Sequence, residues 1–312
     1  MADISRADLS TLIQEEYSDV LLGAAAAKSQ VLAAATTVPM SRRVTNLPVL
    51  ATLPEAKWVG ESATDSAGIK PTSKVTWANK QLVVDELAVI VPIHENALED
   101  ANERVLTDIA VTAGNAIGKK LDLAALFGVE KPTAWTSPAL VPAAVAAGQV
   151  TQNVAGTANI HDLYGAINLS AETLALDGFV PDTLLASLSL RYRLANIRDA
   201  NGNPAFNGTS YQGFDTVFST NGAWQPTAAD AVLIDRSRLI VGVREDIAVK
   251  FLDQASLTEP DPQDPTKTIQ VSLAERDMVA WRFKARFAYV LGVGTTAQGE
   301  NKTPVAVVTP TA

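Results

Sequence analysis

The residue types that most often carry out chemistry are scarce in this 312-residue chain, which contains two histidines and no cysteine. A histidine-based metal site would have to use His94 and His161, and a thiolate site is excluded. A Ser-His-Asp triad would need one of the same histidines, and the sequence has no Gly-x-Ser-x-Gly elbow. The sequence therefore predicts a protein that is not an enzyme and has no catalytic residue, metal site or cofactor.

Two short segments look like ligand-binding loops but lack the required spacing. Gly114–Lys120 has glycines before a lysine, as phosphate-binding loops do, yet no Ser or Thr follows the lysine and the segment lies within a helical pattern. Asp199–Asn203 is similar to the start of a calcium loop, but the distal glutamate is missing. Helix packing explains the first segment, and a turn with Gly202 at positive φ explains the second.

Composition limits the class of protein. Hydrophobic residues make up 47% of the chain and charged residues 19%, which is typical of a globular protein. The net charge of -9, from 25 basic and 34 acidic residues, lacks the overall basic signature of a nucleic-acid-binding protein, although an acidic protein can still enclose nucleic acid. No apolar stretch is suited to crossing a bilayer, and the N-terminus lacks the layout of a signal peptide.

The first third of the chain predicts an arm, a hairpin and a strand. Residues 1–41 are predicted to form the arm, with an amphipathic helix at Ser10–Leu22 and an alanine-rich stretch at 24–35 that offers little volume for a core. The polar, turn-rich segment Trp58–Trp77 predicts an extended hairpin that must lie on another surface. Gln81–Ile93 is predicted to be a strand, with Pro92 at its end or at a sheet edge.

A long helix is predicted from about residue 100 to 127, because apolar residues recur there every three or four positions. Gly128 supplies a left-handed residue at its end, and Gly114 and Gly118 indicate close backbone approach. We expect the apolar face to pack on a sheet that contains the alternating run Met278–Val290.

The rest of the chain predicts further helices and strands without a strict βαβ repeat, which favours the α+β class. Residues 133–157 are rich in Ala, Pro and Val and are interpreted as a domain junction. One helix is predicted to begin at Asn159 or Asp162 and to run through Leu174, and a second is predicted at 188–197. The predicted strands lie at 179–186, 215–219, 231–235, 239–243, 248–252 and 269–273. Glu259–Pro265 is predicted to be a stiff polar loop between the last two strands.

Together these pieces resemble the major capsid proteins of tailed bacteriophages, which have the Hong Kong 97-type fold. No single motif is specific, but their order along residues 42–294 matches that family. The matching pieces are Trp58–Trp77 (extended E-loop), Leu82–Asp100 (strand and acidic lead-in to the spine helix), Asp122–Gly128 (end of that helix), Asp182–Leu185 and Asp199–Pro204 (axial domain), Gly213–Val217 and Val241–Ile247 (later strands), and Arg282–Tyr289 (closing strand).

The resemblance implies a division into domains. The peripheral domain would comprise residues 42–132 and 244–294, with the E-loop at about 55–80, the spine helix at about 100–127 and a peripheral loop at about 253–270. The axial domain would comprise 133–243, and 295–312 would form a C-terminal tail outside the common pattern.

The resemblance also implies a function. Many copies would form the hexamers and pentamers of an icosahedral shell that encloses a double-stranded DNA phage genome without sequence-specific binding. The resemblance further implies procapsid maturation, a separate scaffolding protein, a portal and a decoration protein. It also implies assembly in the host bacterial cytoplasm and a final location in the virion. No membrane partner is expected.

Candidate intersubunit contacts follow from the charged and aromatic residues of the protruding segments. We expect lysines of the hairpin to pair with acidic residues before the long helix of a neighbour, each exposed pair contributing about 0–1 kcal/mol. The candidates are Lys57, Trp58, Glu61, Lys70, Lys74, Glu99, Asp100, Glu103, Glu259, Asp261 and Lys267. Covalent Lys–Asn cross-linking, which some relatives use, is not expected because no partner asparagine stands out.

Two other functions stay open at this point. Encapsulin-type bacterial compartments share the fold and hold cargo enzymes instead of a genome, so the fold alone does not separate them from phage capsids. A hydrolase with an unrecognised site would need a convergent pocket, which the scarcity of histidine and cysteine disfavours.

Overall fold

The computed structural model describes residues 25, 28–54, 73, 75–96, 103–153, 162–198, 201–202, 210–211, 213–260, 266–292 and 294–310. The helices are α1 (Gln30–Ala34), α2 (Glu103–Asp122), α3 (Leu140–Ala146), α4 (Leu163–Leu176) and α5 (Leu188–Ala195). The strands are β1 (Thr36–Met40), β2 (Val44–Thr52), β3 (Thr76–Val83), β4 (Asp85–His94), β5 (Val150–Gln152), β6 (Thr183–Ser187), β7 (Ser210–Tyr211), β8 (Phe214–Ser219), β9 (Ala231–Ile234), β10 (Leu239–Leu252), β11 (Ser256–Pro260), β12 (Thr268–Ser272), β13 (Met278–Leu291), β14 (Gly294–Thr296), β15 (Gly299–Lys302) and β16 (Val305–Thr309).

A four-stranded sheet in the order β1-β10-β13-β4 supports the long helix α2. The strand β13 pairs antiparallel with both β10 and β4, while β1 joins β10 in parallel. Ala113, Ile117 and Leu121 of α2 are buried in one core with Phe283 and Phe287 of β13. The expected packing of the helix face on this sheet is therefore confirmed, because the alternating residues of β13 present one apolar face to the helical stripe.

The predicted end of the long helix is also confirmed. Asp122 is followed by a π-helical turn, Leu123–Phe127, and Gly128 then adopts a left-handed conformation with φ of 75°. Pro92 lies in β4, the edge strand of the sheet, as predicted for a proline within a strand. The predicted strand Gln81–Ile93 is instead two strands, since the chain turns at Val84 between β3 and β4.

A six-stranded sheet in the order β5-β16-β9-β6-β8-β7 forms the second half of the molecule. Its strand β16 is buried on both faces: Val305 and Val307 face the core that contains α2, whereas Ala306 and Val308 face a second core under α4 and α5. The prediction of a C-terminal tail at 295–312 is wrong for 305–309, because these residues form an interior strand. Continuous apolar character, rather than alternation, is what such a doubly covered strand requires.

The alanine-rich stretch was wrongly predicted to contribute little to a core. Val31 and Ala34 of α1 are almost fully buried, and Ala25 is also buried. A Cβ placed on Gly118 of α2 would lie 3.1 Å from the carbonyl oxygen of Ala25, so small residues let the two segments approach closely. The close-approach interpretation of Gly118 is thereby confirmed.

Part of the predicted domain junction at 133–157 is packed into the first core. The structure describes this stretch up to Asn153. Trp135 is buried beside Tyr289 of β13, with ring centroids 5.6 Å apart, and Leu140 and Ala144 of α3 belong to the first core. Helix α3 was not predicted, because two of its four buried residues are alanines and its hydropathy pattern has little contrast.

The polar loop predicted at Glu259–Pro265 begins later than expected. Glu259 and Pro260 are the last residues of β11, which pairs antiparallel with β12 in a two-stranded ribbon. The two predicted strands 239–243 and 248–252 are a single strand, β10, with a bulge between Arg244 and Ala248. The bulge keeps the chain paired with β13 while it absorbs the extra residues.

We expect Gly118→Val to weaken the attachment of the N-terminal segment to α2. The added methyl groups would have to displace the Ala25 carbonyl, and overpacking of this kind costs about 1–3 kcal/mol. Ala116→Val on the exposed side of the same helix is the matched control, since it carries the same β-branched penalty without the contact. Chemical unfolding measures both variants; equal losses of stability would contradict the packing role of Gly118.

Candidate assembly surfaces

A buried carboxylate ties the N-terminal segment to the rest of the subunit. Asp122, at the end of α2, is fully buried. Its oxygens accept hydrogen bonds from the Ser29 hydroxyl at 2.6 Å and from the backbone N–H groups of Gln30 and Val31 at 3.0 and 3.1 Å. The Asn221 side-chain amide donates a fourth bond at 2.7 Å. Asp122 thus caps the start of α1 from another helix, which local sequence patterns do not reveal.

Gln30 extends this attachment to the six-stranded sheet. Its side-chain nitrogen donates to the carbonyl oxygens of Ala186 in β6 and Val217 in β8, at 2.8 and 2.7 Å. The segment 29–31 is therefore bonded both to α2 and to the second sheet.

The pKa of Asp122 is raised by burial, against the four hydrogen bonds, which lower it. A raised pKa for a carboxyl means that the native state holds the proton more tightly than the unfolded state does. Its contribution to stability is then fully present below pH 3.8 and is lost as the pH rises through the higher native-state pKa.

We accordingly expect the stability of the native protein relative to D122N to increase as the pH is lowered from about 7 towards 4. The comparison with D122N cancels the titration of the other carboxyl groups, which both proteins share. Urea unfolding at several pH values measures the difference. A difference that stays constant or shrinks on acidification would contradict the raised pKa.

A second polar cluster fastens the C-terminal strands to the turn after α4. The Asp177 carboxylate accepts from the Gln149 amide at 2.6 Å and from the Lys302 ammonium at 2.7 Å, and its carbonyl oxygen accepts from the Thr296 hydroxyl at 2.6 Å. Gly178 has φ of 83°, a left-handed conformation that side-chain-bearing residues rarely adopt, so this turn favours a glycine. Thr296 and Lys302 are therefore fastened to the turn after α4.

A small pocket of about 190 Å³ opens between the start of β4 and the end of α2. Its floor is apolar, and its rim carries Asp85, Glu86 and the paired Lys120 and Glu130, whose charged atoms lie 2.7 Å apart. The volume is below the 300–1,000 Å³ typical of small-molecule sites. The pocket contains no histidine and no convergent set of catalytic groups.

Most of the predicted contact residues fall outside the described residues: these are Lys57, Trp58, Glu61, Lys70, Lys74, Glu99, Asp100 and Asp261. Glu103 is the first residue of α2 and Glu259 lies in β11, but their side chains are not among those described. Lys267 is exposed directly before β12. Their proposed pairing with neighbouring copies remains a prediction.

Large apolar side chains that are exposed in the single subunit mark further candidate contact surfaces. Trp77 is exposed on β3, Tyr192 on α5, and Leu176 and Val180 on either side of the turn that Asp177 anchors. Such residues gain free energy when a partner covers them.

Neither a metal centre nor a membrane span is found in the part of the chain that the structure describes. No group of three or more metal-ligating side chains occurs there. No described helix is both long enough and apolar enough to cross a membrane.

The sequence matches the phage capsid family over residues 10–292. No curated protein matches it. A solved structure from Mycobacterium phage Cain is 59% identical, with 100% of this chain and 99% of that chain covered and a TM-score of 0.79. One from Microbacterium phage Oxtober96 is 34% identical, with 99% and 100% covered and a TM-score of 0.76. The capsid of an empty GTA particle, at 15% identity, 91% and 90% coverage and a TM-score of 0.57, shares the fold.

Each of the two large sheets contributes to a buried core, and the polar clusters described above hold separate segments of the chain together. With the full-length similarity to phage proteins, these features indicate a structural protein rather than an enzyme. The chain belongs to the phage capsid family. It is a major capsid protein, and capsid proteins of phages assemble into multimeric shells. The similarity over the whole chain favours this function over an encapsulin-type compartment.

Proposed function

We propose that this subunit forms the hexamers and pentamers of an icosahedral phage shell that encloses double-stranded DNA. The observation that carries the proposal is the full-length similarity to proteins of Mycobacterium phages at up to 59% identity. The net charge of -9 supports enclosure rather than tight binding, because a negative wall repels DNA phosphates.

The two sheets correspond to the two domains of a Hong Kong 97-type subunit in this proposal. The four-stranded sheet with α2 would be the peripheral domain, α2 its spine helix, and the segment between β2 and β3 its E-loop. The six-stranded sheet would be the axial domain, extended by β16 beyond the proposed limits of 133–243. Both assignments rest on the order of elements along the chain.

The contacts between copies in this proposal use the protruding segments. Lys57, Lys70 and Lys74 would meet Glu99, Asp100 or Glu103 of a neighbour, and the ribbon β11–β12 with Lys267 would approach a threefold or quasi-threefold axis. A separate scaffolding protein, a portal and a decoration protein are the further partners proposed, and assembly would take place in the host cytoplasm before a maturation step.

Electron microscopy of the purified, expressed protein tests the proposed shell. Closed particles with hexameric and pentameric units are expected, and an exclusively monomeric elution profile on size-exclusion chromatography would contradict the proposal. Particles purified from infected cells should contain double-stranded DNA. Particles that hold a protein cargo and no DNA would instead support the encapsulin-type function.

A further inference from the structure

The loop after β8 contains the dipeptide Asn221–Gly222, whose asparagine is bonded to Asp122. In an Asn–Gly sequence the backbone nitrogen of the glycine can attack the side-chain carbonyl carbon of the asparagine, because glycine has no side chain to hinder the approach. Asparagine belongs for this reason to the thermolabile residues. Gly222 is exposed, and the nearest described atom to a Cβ built on it is Nζ of Lys119, at 3.8 Å. The dipeptide therefore combines a reactive sequence with open space at its glycine.

The reaction at such a dipeptide is deamidation, which needs water and no other reactant. The nitrogen of Gly222 forms a bond to Cγ of Asn221, the bond from Cγ to the side-chain nitrogen breaks, and ammonia leaves with the proton of the backbone nitrogen. Water then opens the cyclic succinimide to aspartate or to isoaspartate, in which the main chain passes through the former side-chain carbonyl. Either product replaces an amide that donates hydrogen bonds with a carboxylate that only accepts them.

Three hydrogen bonds hold the side-chain amide of Asn221 in the folded subunit. Its nitrogen donates to Asp122 at 2.7 Å, and its oxygen accepts from the Ser219 hydroxyl and from the N–H of Ala223, both at 3.0 Å. Cyclisation makes Cγ tetrahedral and expels the nitrogen, so the amide has to give up these bonds before it can react. The arrangement therefore slows a reaction that the sequence favours.

The carboxylate that holds this amide also holds the N-terminal segment. Asp122 is buried and accepts from the Ser29 hydroxyl and from the N–H groups of Gln30 and Val31. A carboxylate in place of the Asn221 amide would set an acceptor against an acceptor, where the present donor lies 2.7 Å from Oδ2 of Asp122. Two carboxylates that share a site cannot both stay ionised without a large cost.

We propose that Asn221–Gly222 is a deamidation site that Asp122 protects, and that its reaction irreversibly weakens the attachment of the N-terminal segment. The observation that carries the inference is the single carboxylate bonded both to the labile amide and to that segment. The change does not reverse, because ammonia is lost to the solvent. The inference concerns the single subunit and does not depend on the proposed shell.

The chain contains an internal reference for this reaction, the same dipeptide at Asn201–Gly202. Both of its residues are exposed. Gly202 and Gly222 have φ of 85° and 70°, so the backbone at the two glycines is left-handed in the same way. Substitutions at Asp122 should change the rate at Asn221 and leave the rate at Asn201 as it is.

Peptide mass spectrometry of the purified full-length protein, incubated in a mildly alkaline buffer, measures both rates. The variant is Asp122→Ala, and Asp108→Ala, at an exposed position of the same helix, is the matched control. Asp122→Asn keeps one acceptor oxygen and serves as the test if Asp122→Ala does not fold. Enzymatic methylation of isoaspartate identifies the product of the succinimide route.

We expect Asn221 to deamidate about tenfold faster in Asp122→Ala than in the native protein, the factor that corresponds to losing one ordinary hydrogen bond. Asp122→Asn should give a smaller increase, and Asp108→Ala should react as the native protein does. In the native protein, Asn221 should lose its amide more slowly than Asn201.

Asn221→Asp tests the consequence of the reaction, because it places the product carboxylate in the loop from the start. Trypsin should cleave after the exposed Lys28, directly before the attached segment, about tenfold faster than in the native protein. Asn201→Asp, the same change at the exposed dipeptide, should leave this cleavage unaltered.

Three results would overturn the inference. Equal or lower rates at Asn221 in both Asp122 variants would show that the carboxylate does not protect the amide. A native Asn221 that reacts as fast as Asn201 would show that the amide is not protected at all. Native rates of cleavage after Lys28 in Asn221→Asp would show that the product leaves the segment attached. None of these results bears on shell formation, which electron microscopy tests separately.

Discussion

Val307→Asp should abolish recovery of soluble, folded subunit. Val307 lies in β16, fully buried, between Val150 of β5 and Val232 of β9. A carboxylate at this position would have neither water nor a cation, and an uncompensated buried charge costs about 3–5 kcal/mol. That cost is a large part of the 5–15 kcal/mol by which a typical domain is stable.

Val150→Asp is the control for this experiment, because Val150 is the parallel partner of Val307 and is 40% exposed. It should give soluble protein with a loss within about 1 kcal/mol, since the added carboxylate stays hydrated. Expression, solubility and thermal unfolding compare the two variants. A soluble Val307→Asp subunit with an unchanged unfolding temperature would show that β16 is dispensable for the fold.

Asp122→Ala should release the N-terminal segment from the subunit. The substitution leaves the Ser29 hydroxyl, the N–H groups of Gln30 and Val31 and the Asn221 amide without their acceptor. Each unsatisfied buried donor costs about 1–3 kcal/mol, and part of this is recovered as the segment detaches and becomes hydrated. We expect a loss of stability of about 3 kcal/mol.

Proteolysis reports this release directly, because the exposed Lys28 lies immediately before the capped helix. Trypsin should cleave after Lys28 faster in Asp122→Ala than in the native protein. Asp108→Ala, at an exposed position of the same helix, should change neither the cleavage rate nor the stability by a measurable amount. Unaltered cleavage and stability in Asp122→Ala would mean that the carboxylate does not hold the segment.

Sequence periodicity predicts the helices and strands that have one apolar face and one polar face. The long helix shows an apolar stripe that includes Ile117 and Leu121, and β13 alternates from Trp281 to Phe287, so both were predicted with their mutual packing. Asp162, which accepts from the N–H of Gly165 at 2.7 Å, begins α4 and is one of the two predicted starts, the other being Asn159. In each case the signal lies within a few residues of the element that it specifies.

The parts that sequence analysis missed depend on distant partners. Helices α1 and α3 are only five and seven residues long, and alanines make up part of their buried faces, so they show little periodic contrast in hydropathy. The strand β16 looks like a tail because nothing near it in sequence covers it; its neighbours are residues 150–152 and 231–234. Asp122 gave no signal as a cap, since its partners lie about ninety residues away on either side.

The strand order also has a consequence for how the subunit is made. In the four-stranded sheet, β1 pairs with β10 and β4 pairs with β13, so each early strand needs a partner that is synthesised much later. In the six-stranded sheet, β5 and β9 both pair with β16, which is the last described strand along the chain. Pairings between such distant segments form slowly, because long loops must close first. A growing polypeptide on the ribosome therefore presents neither finished sheet, and subunits become competent to join a shell only after nearly the whole chain has been released.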